Sequence, residues 1–327
     1  MTVPALLLAL ISCTDATTGG TTDTAPLRTP GADATVVAFD GEHVYYGDEN
    51  RRTVDLPVSL PGASSTYTSI LGRFQLSCPD DGCDHWDRYG TFGIVVDPGT
   101  DDEQYIELDR FITAYRVGFS WDADLTDVRP LLSGDVTLRV FIDTWVGPGH
   151  SDGAGWLFDA ELDFVGGEPP SPEPVEVIPV WPHQSFHAGL ADNPPEAQVA
   201  PVDVGVTDAA QVTLRSFITG HGWNNSQNCA EFCAKDHTYT VGSESWTREV
   251  WRDDCEDTVT DGTQAGTWTY DRAGWCPGDQ VFPWDMDASD AWTGDRVTVG
   301  YALQDYTWSG DGDQPYYYLS GNLIRYE

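Results

Sequence analysis

The sequence of 327 residues contains few cationic side chains and almost no lysine. Lys235 is the only lysine, and the 16 Lys and Arg residues face 53 Asp and Glu residues, giving a formal net charge of -37. A surface of this sign repels nucleic-acid phosphates and anionic lipid headgroups. We therefore expect no nucleic-acid partner. The alternative interpretation is that the acidic, lysine-poor surface is an adaptation to salt or for solubility. In that case the charge carries no information about the substrate.

Long apolar runs are also scarce. The run at residues 3–11 is too short to span a bilayer and is typical of an export signal. It leads into Leu-Ile-Ser-Cys13, which resembles a bacterial lipobox and predicts a lipid anchor at Cys13 in the cell envelope. The lack of Lys and Arg before the run stands against this interpretation, and a plain secretory signal is the alternative. Apart from such an anchor we expect no contact with a membrane.

No amphipathic helix longer than two turns is evident, which leaves β structure. The 33 glycines, 21 prolines and many short Val, Thr, Tyr and Trp runs between turn residues favour antiparallel strands. We predict an all-β fold of two consecutive antiparallel sandwiches. The predicted division is a signal segment at 1–13, a disordered tether at 14–34, a first domain at 35–166, a Pro-rich linker at 167–174 and a second domain at 175–327. Candidate strands lie at 35–39, 74–77, 89–96, 107–113, 136–145 and 156–164 in the first domain, and at 175–180, 211–219, 237–241, 264–270, 296–306 and 316–325 in the second.

Seven cysteines are present, and six of them fall into near pairs. Their spacing favours the disulfides Cys78–Cys83, Cys229–Cys233 and Cys255–Cys276, with Cys13 left over. Zinc binding is the alternative for these pairs, although neither of the two short spacings is that of a zinc knuckle. An exported chain favours disulfides.

Three carboxylates stand beside bulky rings. Asp87 lies between Trp86 and Arg88, Glu231 lies between two cysteines and next to Phe232, and Asp143 lies two residues before Trp145. Neighbouring carboxylates on an aromatic surface have pKa values that differ from each other, as general acid and base catalysis requires. Taken alone, Asp87 and Arg88 could equally form a structural ion pair. The tryptophans could equally occupy core positions.

Four separated motifs together resemble the peptide-N-glycosidase F family of bacterial glycoamidases. They occur in the order of the family's own motifs. They are Cys78 to Tyr89, with Cys-Asp-His-Trp-Asp-Arg-Tyr at its end; Asp109-Arg-Phe-Ile-Thr-Ala-Tyr115; Cys229-Ala-Glu-Phe-Cys233; and Asp271 to Gly278. The resemblance covers most of the chain after the tether.

The resemblance implies two eight-stranded jelly rolls packed side by side, with the site between them. It assigns the primary catalytic carboxylate to Asp87 and the essential glutamate to Glu231. It implies no cofactor and no metal, and the substrate is an N-glycosylated peptide or glycoprotein; we also expect a monomer. The resemblance implies that Arg272 contacts the first N-acetylglucosamine, that Arg88 lies beside the catalytic aspartate, that Trp145 lines the substrate and that Asp84 supports this segment. Exposed tryptophan faces suit sugar rings, so the full set of candidate substrate-binding residues is Asp84, Trp86, Arg88, Trp145, His221, Trp223, Arg272 and Trp275.

Two departures from the family pattern concern the same site. Asp143 replaces a glutamate, which shortens the third acidic side chain by about 1.5 Å. In Gly220-His-Gly-Trp223 the aromatic ring has moved by two positions, so His221 stands where the family has a tryptophan. A catalytically inactive glycan- or protein-binding lipoprotein is therefore the alternative function. A copper monooxygenase on paired jelly rolls is the third, but 7 His and 2 Met do not show its ligand sets.

Overall fold

The structure is a computed structural model that describes residues 28–225, 227, 229–258 and 264–327. Cys13, the predicted signal segment and residues 14–27 of the predicted tether lie outside the described residues. No helix among the described residues is long and apolar enough to cross a membrane. The predicted all-β fold is confirmed, and the one α-helix of the described chain, α1, spans only Pro195–Gln198.

Nineteen strands occur in the described residues. The first half contains β1 (Thr29–Pro30), β2 (Ala34–Tyr46), β3 (Asn50–Arg51), β4 (Thr53–Ser59), β5 (Ser65–Ser77), β6 (Tyr89–Val96), β7 (Gln104–Ile112), β8 (Phe119–Asp124), β9 (Asp135–Ile142) and β10 (Trp156–Gly166). The second half contains β11 (Pro174–His187), β12 (Val202–Gly205), β13 (Gln211–His221), β14 (Lys235–Val241), β15 (Glu244–Val250), β16 (Asp279–Val281), β17 (Trp284–Asp287), β18 (Arg296–Leu303) and β19 (Tyr316–Tyr326). Short 3-10 helices span Thr126–Leu131, Cys255–Asp257 and Ser289–Ala291.

The strands form four sheets, two in each half of the chain. The first half has a sheet of order β1-β5-β10-β2-β3, with β8 also on β5, and a sheet of order β16-β7-β6-β9-β4. The second half has sheets of order β11-β19-β13-β17 and β12-β18-β14-β15. All pairings between these strands are antiparallel except β1 with β5. Jelly-roll connectivity stays a prediction.

Each half encloses its own apolar core. Strand β10 contributes to the first core through one of its faces. Alternate residues from Trp156 to Phe164 are buried, and the residues between them are more exposed. Such period-two burial is what a strand with one inward face produces. A second core lies between the sheets of the second half, and a small third cluster contains Tyr89, Phe217 and Trp275 from both halves.

The two halves are joined by shared structure as well as by packing. Strand β16 belongs to the second half, but it pairs with β7 at the edge of a first-half sheet. The buried Arg110 of β7 forms an ion pair with Glu107 at 2.6 Å, and its Nη1 donates to the Tyr318 carbonyl oxygen at 2.8 Å. Strands β6 and β7 are therefore buried on both faces over most of their length. The residues at their ends lie at the boundary between the halves.

Two predictions of local structure were wrong. Residues 264–270 form turns instead of a strand, since Gly266 has φ +76° and the Thr267 and Tyr270 carbonyl oxygens accept hydrogen bonds from Arg272. The predicted tether is ordered in its last, described residues. Thr29 and Pro30 pair with β5, and the Asp33 carboxylate accepts a hydrogen bond from the Gly166 N–H at 2.8 Å.

Candidate active site

Three site segments meet at one end of the sheet that contains β6. Asp87 precedes β6, Asp143 follows β9, and Tyr115 follows β7. Since β6 pairs antiparallel with both neighbours, its first residues lie beside the last residues of β7 and β9. The Asp143 N–H accordingly donates to the Tyr89 carbonyl oxygen at 2.9 Å, and the Tyr115 hydroxyl donates to Asp87 Oδ2 at 2.8 Å.

Glu231 and Arg272 reach the same place from the second half. The Ala273 N–H donates to the Glu231 carbonyl oxygen, and the Gly220 N–H donates to the Ala273 carbonyl oxygen, both at 2.9 Å. Gly274 follows with φ +85°, and a Cβ there would lie 2.7 Å from the Ile218 carbonyl oxygen. A larger residue at 274 would therefore force a shift in this segment, which carries Arg272.

One guanidinium connects the two central carboxylates. Arg272 Nη2 lies 3.7 Å from Asp87 Oδ2, and Arg272 Nε lies 3.4 Å from Glu231 Oε1. The side chain of Arg272 is fully buried, with its guanidinium carbon 4.9 Å from the Phe232 ring centroid and 4.8 Å from that of Trp275. The planar group can face two acceptors at once, and its packing fixes their separation.

Burial raises the pKa of both carboxyl groups. Desolvation raises the pKa of Asp87, while Arg272 and the Tyr115 hydroxyl oppose the shift. Desolvation, together with the charge of Asp87, raises the pKa of Glu231 to about 8, against the opposing effect of Arg272. A pKa of about 8 leaves Glu231 protonated at neutral pH, and the two carboxyl groups titrate as a coupled pair.

The third carboxylate is paired with a different arginine. Arg52 Nη1 lies 3.0 Å from Asp143 Oδ1, and the Arg52 guanidinium carbon lies 4.4 Å from the ring centroid of Trp145. Desolvation raises the pKa of Asp143, and Arg52 opposes the shift. The shorter side chain at position 143 is thus held in place beside Trp145.

Asp84 organises the segment that carries Asp87. Its buried carboxylate accepts hydrogen bonds from Arg88 Nε at 2.7 Å, from the Thr144 hydroxyl at 2.7 Å and from the Trp86 N–H at 3.1 Å. The predicted disulfides Cys78–Cys83, Cys229–Cys233 and Cys255–Cys276 are confirmed. Each closes a loop next to a site residue, so the carboxylates stand on rigid segments.

Comparisons with known sequences identify the family. Family models for peptide-N-glycosidase F match residues 93–163 (N terminal) and 195–324 (C terminal), together more than half of the chain. A peptide-N(4)-(N-acetyl-beta-D-glucosaminyl)asparagine amidase F from Elizabethkingia miricola is 27% identical over 98% of this chain and 93% of its own length. The chain belongs to the peptide-N-glycosidase F family.

Solved structures show the same fold. PNGase F, a glycosylasparaginase from Flavobacterium meningosepticum, superposes with a TM-score of 0.78 at 24% identity, over 91% of this chain and 96% of that one. PNGF-II superposes with a TM-score of 0.71 at 18% identity, over 90% of this chain and 65% of that one.

The candidate substrate-binding residues divide into an exposed and a buried set. Trp86, Trp145 and Trp223 are 54%, 51% and 56% exposed, as expected of rings that pack on a ligand. The Arg88 side chain is partly exposed beside Asp84. Trp223 adjoins the Glu231 loop, because the Gly222 carbonyl oxygen accepts a hydrogen bond from the Glu231 N–H.

The buried set does not face the solvent. Arg272 and Asp84 are fully buried, and Trp275 donates its indole N–H to the Gly220 carbonyl oxygen at 2.8 Å. His221 is buried between the rings of Trp275 and Tyr316, and desolvation lowers its pKa to about 3. The Arg272 N–H groups point at protein acceptors, among them the Thr267 and Tyr270 carbonyl oxygens, and its contact with the first N-acetylglucosamine stays a prediction. These four residues support the site from beneath.

Two site residues were not identified from the sequence. Tyr115 ends the second quoted motif, and its place after a strand of buried residues was the only available signal for its contact with Asp87. Arg52 stands at the bend between β3 and β4, 91 positions before Asp143, and no local pattern predicts their ion pair. Within the described residues, no group of three or more His, Cys, Asp or Glu side chains could hold a metal ion.

Proposed function

We propose that this protein is a glycoamidase that hydrolyses the amide bond between an asparagine side chain and the proximal N-acetylglucosamine of an N-linked glycan. The observation that carries the proposal is the pair Asp87 and Glu231, contributed by different halves of the chain and held on one buried guanidinium. Two carboxyl groups in different protonation states, beside exposed aromatic rings, suit acid and base hydrolysis of a sugar conjugate. Membership of the family supports the same substrate class.

The proposed reaction begins with water. Ionised Asp87 accepts a proton from the water molecule, whose oxygen attacks the side-chain amide carbon of asparagine. Glu231, protonated at neutral pH, donates a proton to the leaving nitrogen as the carbon–nitrogen bond breaks. The products are a glycosylamine and an aspartate in the peptide, and one water molecule is consumed.

The remaining site residues have supporting roles in this proposal. Arg272 fixes the distance between the two carboxyl groups and lowers the pKa of each. Trp86, Trp145 and Trp223 offer exposed faces to the sugar rings and the peptide. Asp84 and the buried rings of His221 and Trp275 hold these groups in position.

A glycopeptide of defined sequence tests the proposal. We expect wild-type protein to release the glycan with both N-acetylglucosamine residues intact and to leave aspartate in the peptide. Asp87→Asn removes the base but keeps the size of the side chain, so we expect it to fold and to release no glycan. Binding of the glycopeptide by wild-type protein without cleavage would instead identify an inactive glycan-binding member of the family.

A further inference from the structure

A cavity lies beside the exposed ring of Trp145, and the proposed reaction does not use it. Its volume is 520 Å³. Residues 45–49, which include the turn between β2 and β3, form one wall, and residues 147–150, in the loop after β9, form the other. Cavities of several hundred cubic ångströms are of the size that binds small organic ligands.

The two walls are fixed to each other. The Tyr46 N–H donates to the Val146 carbonyl oxygen at 2.9 Å, which ties the turn to the loop. A Cβ at position 147 would lie 2.5 Å from the Tyr46 carbonyl oxygen, so the close approach of the walls requires Gly147. The cavity is therefore preformed, which lowers the entropy lost on binding.

The cavity lies close to the third carboxylate along the chain. Pro148 is five residues after Asp143, so their backbones are at most about 18 Å apart. The rings of Tyr46 and Trp145 are 5.4 Å apart between centroids, and the guanidinium of Arg52 lies over both. A continuous aromatic surface thus leads from the third carboxylate into the cavity.

The chemistry of the cavity suits neutral sugars. Tyr46 is 37% exposed, and its ring offers an apolar face of the kind that packs on sugar C–H groups. Among the described residues no protein group binds the exposed Asp48 carboxylate, and Glu49 accepts a hydrogen bond only from the Tyr45 hydroxyl, at 3.2 Å. These oxygens are free to accept hydrogen bonds from hydroxyl groups. Their negative charge disfavours acidic sugars.

We propose that this cavity is a subsite for neutral hexose residues of the glycan, beyond the two N-acetylglucosamines next to asparagine. The proposal rests on the proposed glycoamidase function, because it takes the occupant to be the same glycan whose linkage is cleaved. It gives the enzyme a preference for longer, neutral glycans that the catalytic carboxylates alone do not provide.

Two glycopeptides with one peptide sequence test the subsite. One carries only the two N-acetylglucosamines, and the other carries a full oligomannose glycan. For the double variant Asp48→Ala/Glu49→Ala we expect kcat/KM on the oligomannose substrate to fall about tenfold or more, since charged hydrogen-bond acceptors are lost. We expect kcat/KM on the short substrate to stay unchanged. The matched control is Asp101→Ala/Asp102→Ala, which removes the same charge from an exposed turn and should leave both values unchanged.

Several outcomes would overturn the subsite. An unchanged ratio of the two kcat/KM values in the Asp48 and Glu49 variant would do so, and so would an equal fall on both substrates. If wild-type protein cleaves neither substrate, the proposed glycoamidase function is wrong. The subsite is then tested by measuring glycan binding instead of cleavage. Saturation-transfer NMR with the free trimannosyl core should then show binding to wild type that the double variant loses. Absence of transfer to wild type would refute the subsite.

Discussion

The hydrogen bond from Tyr115 to Asp87 offers a sharp test of the role of Asp87 as the base. Tyr115→Phe removes the hydroxyl that donates to Asp87 Oδ2 at 2.8 Å but keeps the ring that packs against Gly266. A hydrogen bond to a charged acceptor contributes about 1.5–3 kcal/mol, and one pH unit corresponds to about 1.4 kcal/mol. Because the bond stabilises ionised Asp87, its loss should raise the pKa of Asp87 further.

The assay is the pH dependence of kcat/KM on a glycopeptide. We expect the acidic limb of the profile to move to higher pH, so that the rate falls about tenfold or more on that limb and changes much less at the plateau. Tyr105→Phe is the matched control, since its hydroxyl donates to Thr91 at 2.9 Å away from the site. An acidic limb that stays in place or moves to lower pH would refute Asp87 as the base.

Three further predictions concern other groups. The pKa of Glu231 is about 8 in the folded protein, above its ordinary 4.5. The stability that results, up to about 5 kcal/mol, is fully present below pH 4.5 and is lost as the pH rises through 8. The free energy of unfolding, measured with denaturant, should fall less between pH 5 and pH 8 in Glu231→Gln than in wild type. Equal decreases in the two proteins would contradict the raised pKa. Asp143→Glu should raise the rate of deglycosylation by extending the carboxylate about 1.5 Å into the site; a slower variant would show that the ion pair with Arg52 at 3.0 Å already sets the geometry. Cys13→Ser should release the protein from the membrane fraction of its native host, and unchanged membrane association would argue against the lipid anchor.

The features predicted from the sequence were those with a local signal. Strand β10 alternates buried and exposed side chains, and the six paired cysteines stand close together in sequence, so both could be inferred from neighbouring residues. The residues 264–270 show the limit of such signals. They contain Thr, Trp and Tyr as a strand would, but Arg272 draws their carbonyl oxygens into a turn.

Contacts between distant segments could not be predicted in the same way. The ion pair of Arg52 with Asp143 and the addition of β16 to β7 depend on strand register and on the packing of the two halves. The placement of Arg272 beneath the carboxylates has the same cause. Its motif marks it as a site residue, but its burial between the Phe232 and Trp275 rings depends on how distant segments pack.

Hydrolysis of a defined N-glycopeptide in water enriched in heavy oxygen tests the central proposal most directly. If water attacks the side-chain amide carbon with Asp87 as base, mass spectrometry will show aspartate at the former glycosylation site with one heavy oxygen atom in its carboxyl group. The released glycan will retain both N-acetylglucosamines, and Asp87→Asn will give neither product. Cleavage between the two N-acetylglucosamines, or a peptide that keeps its glycosylated asparagine with wild-type protein, would contradict the account.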